Sequence, residues 1–382
     1  MFETSVIEIN KAALEKNLSF IRKQIGDRKL SLVVKGNAYG HGIEEYVPIA
    51  MDLGVDHFSV YSADEAERIF RIKRPETEIM ILGSVRDTAL NWAVENGVEC
   101  WMFEEQRLEL ALQHAKEING KAKVHIELET GMNRTGFKAI DLPNVARLLH
   151  EYADYVEIKG ICTHFAGAES ISNYYRIKDQ IDIYNQLVEK LTNLNIKAER
   201  YHTCCSAASL RFPEMMLDMV RVGILQFGFW PSQETFIEYT RNNNTKHDPL
   251  QRLITWKSMI MSISTVAKGE YVGYGTSYLA QRELKIGICP VGYSHGFSRS
   301  LSNTGRAVVN GMRVTVVGSV NMNCIALDLT GIDVKQGDEV LLIGTDGEVE
   351  VSVASFSEFS NLLNYELLTR LPLNIPRVIT HN

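Results

Sequence analysis

Long hydrophobic runs are missing from this sequence of 382 residues, and no apolar stretch approaches the roughly 20 residues that a membrane span requires. Residues 1–17 are polar and mixed in charge, unlike a secretory signal. A basic excess is missing too, because 40 lysines and arginines stand against 47 aspartates and glutamates, which gives a formal net charge of −7. We therefore expect no membrane association and no nucleic-acid partner.

Cysteine is scarce, and its spacing excludes the usual cysteine sites. No C-x-x-C pair occurs, and the neighbours Cys204 and Cys205 suit neither a structural zinc site nor a disulfide. No grouping of histidine, cysteine and carboxylate residues has metal-site spacing, so we expect no metal. Reduced core thiols in a cytoplasmic protein fit best. The six cysteines are Cys100, Cys162, Cys204, Cys205, Cys289 and Cys324.

Short β-branched runs alternate with longer amphipathic stretches between residues 30 and 230. They predict helices that include 62–72, 87–97, 104–118 and 173–194, and Ser62 with Glu65 forms a capping-box pattern at the start of the first. Eight strand–helix units favour a (β/α)₈ TIM barrel over a doubly wound sheet, because no G-x-G-x-x-G follows the first strand. The predicted strands are 31–35, 57–61, 78–83, 98–103, 123–128, 157–164, 201–206 and 219–225.

The pattern changes after Trp230. The polar stretch 241–247 indicates a surface connection, and turn signals such as Asn310-Gly311 separate the short runs beyond it. The opening segment 4–9 is also strand-like and could pair with these runs. We predict an α/β protein with a barrel at 11–240 and a mainly-β domain formed by 1–10 and 241–382. The later strand-like runs are 258–266, 284–291, 306–309, 313–317, 324–329, 339–343 and 348–353.

The most informative segment is residues 33–42, which reads V-V-K-G-N-A-Y-G-H-G. A lysine that ends a buried strand points into the mouth of a barrel, where the active sites of this fold lie. A buried lysine is costly unless it is paired, neutral or used covalently, and Schiff-base chemistry is its best-known use. On spacing alone, a Lys35 that merely caps a strand at the rim fits equally well. His41 fits a role in shaping the turn better than a role in binding.

This segment resembles the cofactor-lysine motif of alanine racemases, usually V-K-A-N-A-Y-G-H-G, and further motifs of that family follow in the same order. The resemblance covers essentially the full length of the chain. It implies a fold type III enzyme that depends on pyridoxal 5'-phosphate and interconverts L- and D-alanine, a small amino-acid substrate. It also implies a cytoplasmic homodimer with shared active sites that makes D-alanine. The further matching segments are 131–136, 163–166, 202–207, 221–224, 273–275, 290–293, 317–322, 364–366 and 376–377.

The resemblance assigns two bases to opposite faces of the substrate Cα. Lys35, which carries the cofactor, is the base for the D-substrate, and Tyr274 from a partner subunit is the base for the L-substrate. Racemisation removes a proton from one face and delivers one to the other, so two bases must flank Cα. A free tyrosine has a pKa near 10, so Tyr274 needs cationic or hydrogen-bonding neighbours. His164 and Arg221 are the candidates for that tuning.

The resemblance also implies how the cofactor and the substrate are held. Arg221 is the partner of the pyridine nitrogen, and a guanidinium that cannot accept a proton disfavours protonation there, which should limit transamination. Arg134 and the backbone of Met322 take the substrate carboxylate. The phosphate is held by Tyr39, Ser206, the backbone N–H groups of Gly223 and Ile224, and Tyr365. The full cofactor-binding set is Lys35, Tyr39, His164, Ser206, Arg221, Gly223, Ile224 and Tyr365.

Several positions depart from the family's pattern, and they concern the cofactor surroundings and the substrate entrance. Cys205 stands where asparagine is usual, the usual G-Y-A-D-G reads G-Y-S-H-G at 292–296, and Asn321 and Asn323 replace other residues. These changes leave a racemase of serine or of a broader set of amino acids as the alternative. Tyr365 argues against very large side chains, because that aromatic residue narrows the family's pocket.

Glu127 is a further departure. It lies seven positions before Arg134, where many members carry a carbamylated lysine that orients the substrate arginine. We predict that Glu127 supplies a fixed carboxylate to Arg134, with Glu129 or solvent as the alternative partner.

Two other classes share the barrel and the cofactor. Barrel decarboxylases of basic amino acids carry a C-E-S-G-D-type motif, which we do not find in this sequence. Non-catalytic vitamin B6 carriers lack a second domain, and with it any counterpart of Tyr274.

Overall fold

The computed structural model describes residues 4–352 and 364–381. The chain divides into two compact units. The barrel unit consists of Ala13–Gly36 and Val47–Gln251, and the β unit consists of Met1–Ala12, Asn37–Tyr46 and Arg252–Asn382. The sequence-based division placed residues 37–46 with the barrel and put the second boundary at 240.

The strands are numbered along the chain. They are β1 (Ser5–Asn10), β2 (Lys29–Val33), β3 (His57–Val60), β4 (Glu78–Ile81), β5 (Glu99–Met102), β6 (Ala122–Glu127), β7 (Val156–Cys162), β8 (Arg200–His202), β9 (Met219–Val222), β10 (Ile254–Met259), β11 (Ser262–Val266), β12 (Leu284–Cys289), β13 (Arg306–Val309), β14 (Met312–Thr315), β15 (Ile325–Asp328), β16 (Glu339–Asp346), β17 (Val349–Val351) and β18 (Arg377–Thr380).

The helices are numbered in the same way. They are α1 (Lys11–Ile25), α2 (Lys35–Tyr39), α3 (Ile43–Asp52), α4 (Ala63–Phe70), α5 (Asp87–Glu95), α6 (Glu105–Glu117), α7 (Leu142–Glu151), α8 (Tyr174–Asn193), α9 (Ser206–Arg211), α10 (Gln233–Asn242) and α11 (Asn364–Thr369). Short 3₁₀ segments lie at Ala153–Tyr155, Ile171–Asn173, Pro213–Met215, Ile224–Phe227, Tyr293–His295 and Arg299–Leu301.

Eight parallel strands form the sheet of the barrel unit, in the order β8-β7-β6-β5-β4-β3-β2-β9. A parallel bridge between Cys205 and Arg221 joins the two ends of this order, so the sheet is a nearly closed barrel. All residues of β3, β5 and β9 are buried, as expected for parallel strands covered on both faces. The eight predicted strands and the (β/α)₈ fold are confirmed.

One local prediction in the barrel unit is wrong. Helix α4 begins after Ser62 as predicted, but the Ser62 side chain makes no capping hydrogen bond. The carboxylate of Glu65 instead accepts the backbone N–H of Tyr61 (3.1 Å). The pattern therefore located the start of the helix but not the hydrogen bond that forms there.

The β unit contains two sheets. The larger has the order β14-β13-β16-β10-β1-β18, with β17 paired to β16, and the smaller has the order β11-β12-β15. The opening strand β1 lies between antiparallel β10 and parallel β18, which confirms that the start of the chain pairs with this domain. The predicted mainly-β domain is confirmed.

Several elements differ from the prediction. In the second domain, the run 258–266 lies across two strands, β10 and β11, and β18 was not predicted. In the barrel unit, helix α10 was missed because its capping box uses Ser232 with Thr235, whereas the usual pattern has glutamate or glutamine at the second position. The predicted run 348–353 is β17 over Val349–Val351, and its last residue lies outside the described part of the chain.

Two expectations from composition can be compared with the structure. All six cysteines are free thiols, and four of them are buried, as predicted. Over the residues that the structure describes, no helix combines the length and the apolar character needed to cross a membrane.

Candidate active site

Lys35 stands at the beginning of a left-handed turn that follows β2. The strand ends at Val33, so Lys35 lies beyond it and does not end it as predicted. The φ angles of Gly36, Asn37, Ala38 and Tyr39 are 62°, 56°, 53° and 50°. The left-handed conformation costs roughly 1–2 kcal/mol for each residue other than glycine, and strain of this kind is concentrated at functional sites.

His41 holds the turn together. Its Nδ1 lies 3.0 Å from the carbonyl oxygens of both Ala38 and Tyr39, and its backbone N–H donates to Ala38 as well (3.0 Å). Burial lowers the pKa of His41 to about 4, so the ring is neutral and Nδ1–H is the donor. The predicted role of His41 in shaping the turn is confirmed.

Arg377 anchors the end of the same turn within the β unit. Its guanidinium donates to the carbonyl oxygens of Gly40 (2.9 Å), Pro372 (2.6 Å) and Ile375 (2.5 Å). A Cβ on Gly40 would lie 1.9 Å from the carbonyl oxygen of Leu368, and its φ is +81°. The matching motif at 376–377 therefore acts through backbone carbonyls, and only glycine fits at position 40.

Lys35 is exposed to solvent by its accessible surface, but neighbouring protein atoms partly desolvate its ammonium group. This burial, together with the charge of Arg134, lowers the pKa of the Lys35 ammonium, while Glu65 and Cys205 oppose the effect. A larger share of Lys35 is therefore the neutral amine, the form that can attack a carbonyl group or accept a proton.

Arg221 lies in a buried socket that is lined by acceptors. Its Nη1 donates to Nδ1 and to the carbonyl oxygen of His202 (3.2 Å for the latter), and its Nη2 donates to the carbonyl oxygens of Thr163 (2.8 Å) and Thr203 (3.1 Å). The indole ring of Trp101 lies 5.0 Å from the guanidinium carbon. A guanidinium has five N–H donors. Four are engaged here, and among the described residues Nε–H is the one left for a ligand.

His164 is the second predicted tuning residue near this cluster. Burial and then the charges of Arg221, Arg134 and Lys35 lower its pKa to about 3. His164 is therefore a neutral imidazole, and its carbonyl oxygen accepts a hydrogen bond from Gln180 (3.2 Å). Because all three cations act on the pKa of His164, they lie around one region of the barrel unit.

The predicted phosphate-binding residues of the barrel unit come together. Ser206 is the first residue of α9, and its Oγ accepts the backbone N–H of Gly223 (2.9 Å). Ile224 opens the 3₁₀ segment that follows, and all three residues are buried. Tyr39 is buried in the β unit. Tyr365 belongs to α11 by its backbone, and its side chain lies outside the described part.

The backbone of the loop that carries Arg134 is held by the carboxylate of Glu129. One oxygen of Glu129 accepts the backbone N–H groups of Gly131 and Asn133, each at 2.8 Å. Arg134 is exposed, and neither Glu129 nor Glu127 forms an ion pair with it among the described residues. Glu129, which the sequence offered only as an alternative partner of Arg134, therefore fixes the backbone of the loop and not the guanidinium.

Glu127 is buried at the end of β6. Burial raises the pKa of its carboxyl group, and a hydrogen bond from Thr135 and then the charge of Arg134 partly offset that increase. Its Oε2 has no hydrogen-bond partner among the described residues. The predicted charge-assisted pair with Arg134 is not present, and the interaction is electrostatic and indirect.

Tyr274 and Met322 lie in exposed loops of the β unit. Tyr274 is 78% exposed and stands between Gly273 and Gly275, whose φ angles are 72° and 71°. Met322 is 56% exposed. Within the chain, neither side chain has the enclosed surroundings that a base or a binding residue needs.

The departures near Met322 are coupled to one another. The Ser294 hydroxyl donates to the carbonyl oxygen of Met322 (2.7 Å) and accepts from the Asn323 amide (2.9 Å). The backbone N–H of Ser294 also donates to that carbonyl (3.0 Å). The replacements at 294 and 323 thus fix the backbone at the predicted substrate-carboxylate position.

Sequence reasoning did not single out Trp101 or Glu99. An aromatic or acidic residue within a strand belongs to no motif, and only the register of the sheet brings it to a site. The parity of positions along β5 could have identified the side chains that point into the barrel, but it does not show which of them meet Arg221.

The comparisons with known proteins agree with this geometry. The sequence matches the family models for the alanine racemase N-terminal domain over residues 9–231 and for the alanine racemase C-terminal domain over residues 253–379. An alanine racemase of Leptospira interrogans is 30% identical over 382 residues, which cover 98% of this chain and 96% of the relative. An alanine racemase of Clostridium perfringens strain SM101 is 32% identical over 390 residues, which cover 98% and 95%.

The fold shows the same relationship. An alanine racemase of Bacillus anthracis, with bound L-Ala-P, has a TM-score of 0.91 at 29% identity, and the match covers 100% of this chain and 96% of that chain. Both domains are matched, which separates this chain from barrel-only carriers. The chain therefore belongs to the alanine racemase family, whose members are amino-acid racemases that interconvert L- and D-alanine.

Proposed function

We propose that this chain racemises alanine with pyridoxal 5'-phosphate, with Lys35 and Tyr274 as the two bases. The observation that carries the proposal is the barrel mouth, where Lys35 follows β2 and Arg221 on the neighbouring strand β9 keeps one N–H for a ligand. The family to which the chain belongs depends on this cofactor.

The residues present fit the cofactor. A pyridine nitrogen needs a donor that cannot be lost, and the Nε–H of Arg221 meets that need. A phosphate group needs hydroxyl and backbone donors near the ends of the last two barrel strands, where Ser206 and Ile224 lie. The backbone N–H of Gly223 donates to Ser206 Oγ, so Gly223 supports this site by holding that hydroxyl. Lys35 offers the amine for attachment. When bound, pyridoxal phosphate supplies the electron sink that makes the Cα proton of an amino acid removable.

Lys35 exchanges a proton on one face of the substrate. Burial and Arg134 lower its pKa, so a larger share of the amine is neutral and able to accept the Cα proton. Arg134 and the backbone of Met322 orient the substrate carboxylate, and Arg221 opposes protonation of the pyridine nitrogen because a guanidinium has no acceptor.

Tyr274 exchanges the proton on the other face, and it does so from a second subunit. The phenol of Tyr274 is 78% exposed to water, so its own chain does not give it the enclosed surroundings that a base needs. A partner barrel that offers cationic and hydrogen-bonding groups would provide this, so we propose a homodimer with shared active sites.

The cofactor proposal is tested by colour and by reduction. The purified protein should be yellow, and borohydride should fix the cofactor on Lys35, as peptide mass spectrometry would show. Lys35→Ala should stay unlabelled, whereas Lys29→Ala, at the other end of β2, should label as the parent does. A protein that stays colourless with added cofactor, or label on another lysine, would refute the assignment.

The shared site is tested by mixing inactive variants. Lys35→Ala and Tyr274→Phe should each be nearly inactive alone. After re-annealing, heterodimers with one intact site should recover activity. No recovery, despite demonstrated subunit exchange, would mean that Tyr274 acts within its own chain or does not act.

The substrate is tested by chiral chromatography after incubation with each L-amino acid. Alanine should react fastest. The departures at 294–295, 321 and 323 keep serine or a broader set as the second candidate.

Since enantiomers have equal free energy, either direction ends at a 1:1 mixture, so supply of L-alanine makes the enzyme a source of D-alanine. We propose that it works in the cytoplasm, which the six free thiols support.

A further inference from the structure

A continuous line of buried polar side chains runs through the interior of the barrel unit. His125 Nε2 lies 2.8 Å from Glu99 Oε2, and His125 Nδ1 lies 2.8 Å from His202 Nε2. His202 Nδ1 in turn receives the Nη1–H of Arg221. None of the four is more than 3% exposed, so water does not compete for these bonds. The line joins a carboxylate inside the barrel to the guanidinium at its mouth.

The chemistry of the two ends fixes the direction of every bond in the line. Arg221 only donates, so His202 Nδ1 must be the unprotonated nitrogen. Burial and then Arg221 lower the pKa of His202 well below its ordinary value, so its ring is neutral and carries its proton on Nε2. That proton is donated to His125 Nδ1. Burial lowers the pKa of His125 as well, so its Nε2–H is donated to Glu99.

Glu99 is a carboxylate in this arrangement. Burial alone would raise its pKa, but the electrostatic attraction and hydrogen bonds of the His125 and His57 rings outweigh that effect and hold it well below the usual range. His57 Nε2 lies 3.1 Å from the same oxygen, and His57 Nδ1 bonds with Ser31 Oγ (3.0 Å). Two imidazoles therefore meet one carboxylate oxygen, and the negative end of the line is fixed.

The sheet contains a gap through which the two histidines meet. His125 is on β6 and His202 is on β8, and Gly160 on the strand between them is the register partner of His125. A Cβ at Gly160 would lie 2.1 Å from His125 Nδ1 and 2.7 Å from His202 Nε2. The register of β6 and β7 shifts between Val124 and His125, which sets the glycine opposite the imidazole. Any side chain at 160 would break the line.

The outer oxygen of Glu99 faces cations of the chain itself. Arg200 Nη1 lies 3.7 Å from Oε1 of Glu99, and Arg200 and Lys29 both pair with Glu78 (3.4 and 3.2 Å). His57, Glu78 and Glu99 bring donor atoms within 4.8 Å of one another, but these protein cations and His125 already use the carboxylates. These three side chains are therefore already engaged by groups of the protein itself, and we assign no metal to them.

We infer that Glu99 is a positioning residue for Arg221, acting through His125 and His202, and that Gly160 is required for this connection. Because Glu99 accepts and Arg221 donates, the two imidazoles are held in one tautomer, and His202 always presents a lone pair to Nη1. The guanidinium is thereby kept in the orientation that leaves Nε–H for the pyridine nitrogen. The role of Glu99 in the reaction rests on the proposed function, whereas the tautomers of His125 and His202 are independent of that function.

Two variants cut the line at different points, and two more serve as controls. Gly160→Ala blocks the contact of the histidines without changing a titratable group, and Glu99→Gln removes the charge at the end. Glu99→Asp keeps the anion and should behave like the parent. Glu78→Gln removes a neighbouring carboxylate that pairs with the same Arg200 but lies outside the line.

The first measurement is ¹⁵N NMR of histidine-labelled holoenzyme, with His125→Gln and His202→Gln for assignment. We expect both rings to be neutral with the proton on Nε2. The signal of the bond between the two imidazoles should vanish in Gly160→Ala and change in Glu99→Gln, and it should persist in Glu99→Asp and Glu78→Gln. An Nδ1–H tautomer or a charged ring at either histidine in the parent would overturn the inference.

The second measurement is the visible spectrum of the bound cofactor together with kcat and KM. In Gly160→Ala and Glu99→Gln we expect a shifted spectrum and a kcat lowered roughly threefold to thirtyfold, with KM changed less than about twofold. Both controls should match the parent. A broken bond with unchanged spectrum and kcat would overturn the positioning role.

The two proposals fail in distinguishable ways. If the protein binds no pyridoxal phosphate, the proposed function fails, but the hydrogen-bonded line can still be tested through the histidine tautomers. A proton on Nε2 of both rings would support the line, and any other result would overturn it. If Gly160→Ala does not fold, Glu99→Gln with its aspartate control gives the same decision.

Discussion

Polar side chains are buried and hydrogen-bonded in the interior of the barrel unit, whereas they are exposed to solvent in the Tyr274 loop of the β unit. Arg221, His202 and Glu99 are almost completely buried, and each has hydrogen-bond partners. In the loop, Tyr274 is 78% exposed and Tyr271 is 51% exposed. These buried groups of the barrel unit find their partners within one chain, whereas the exposure of Tyr274 is what we expect if a second subunit covers its loop.

The largest expected effect concerns the exposed Tyr274 loop. Tyr274→Phe should lower kcat by roughly 10²- to 10⁴-fold, because it removes a proton-transferring group. Its melting temperature should equal that of the parent, since an exposed hydroxyl adds little stability. Tyr271→Phe, on the same loop, should keep kcat within about twofold. Racemase assays and thermal melts check both, and equal losses of activity in the two variants would contradict the assignment.

The second prediction addresses the buried side. Arg221→Lys should lower the free energy of unfolding by about 3 kcal/mol, because a lysine cannot reach the four acceptors that the guanidinium engages. Arg282→Lys changes an exposed partner of Asp328 and should cost less than about 0.5 kcal/mol. Urea unfolding measures both values. Similar costs would mean that the socket around Arg221 contributes no more than a surface ion pair.

The third prediction concerns Glu127, a buried group with an unpartnered oxygen. Its raised pKa means that the unfolded chain ionises more readily, so ionisation in the fold costs stability as pH rises through the raised pKa. Glu127→Gln should therefore melt higher than the parent at neutral pH, and the gain should vanish in acid below the ordinary carboxyl pKa.

The same variant should bind substrate less well. Loss of the carboxylate that acts on Arg134 should raise KM roughly threefold to tenfold while the cofactor spectrum stays the same. Parent activity should not depend on bicarbonate, since Glu127 needs no carbon dioxide to be an anion. Equal kinetics for Glu127→Gln and the parent would refute its role.

The smallest expected effect concerns the serine that precedes a helix. It tests whether such a serine stabilises the helix only when its side chain makes a capping hydrogen bond. Ser232→Ala should cost about 1 kcal/mol, because Ser232 caps α10 through Thr235. Ser62→Ala should cost less than about 0.5 kcal/mol, since Ser62 occupies the same position of α4 without a side-chain bond. Denaturant midpoints decide, and a larger loss at Ser62 would show that its cap forms in solution.

Local patterns were sufficient for the eight strands of the barrel. Eight buried β-branched runs predict eight strands because parallel barrel strands are apolar on both faces. Local patterns were insufficient for the boundaries of strands. The run 258–266 was predicted as one strand but belongs to two, and Lys35 was predicted to end a strand but lies after the end of β2. In both cases the hydrogen bonds of neighbouring segments set the boundary.

The sequence by itself determined the barrel and the β domain, and it singled out Lys35, Arg134, Arg221 and Tyr274 as the residues on which the proposed chemistry depends. Only the tertiary structure decided that Glu129 holds the backbone of the Arg134 loop, and that Glu99, His125 and His202 form one line to Arg221. The reason is register. A shift of one residue between β6 and β7 places Gly160 opposite His125, and the hydrogen bonds of the whole sheet fix that shift.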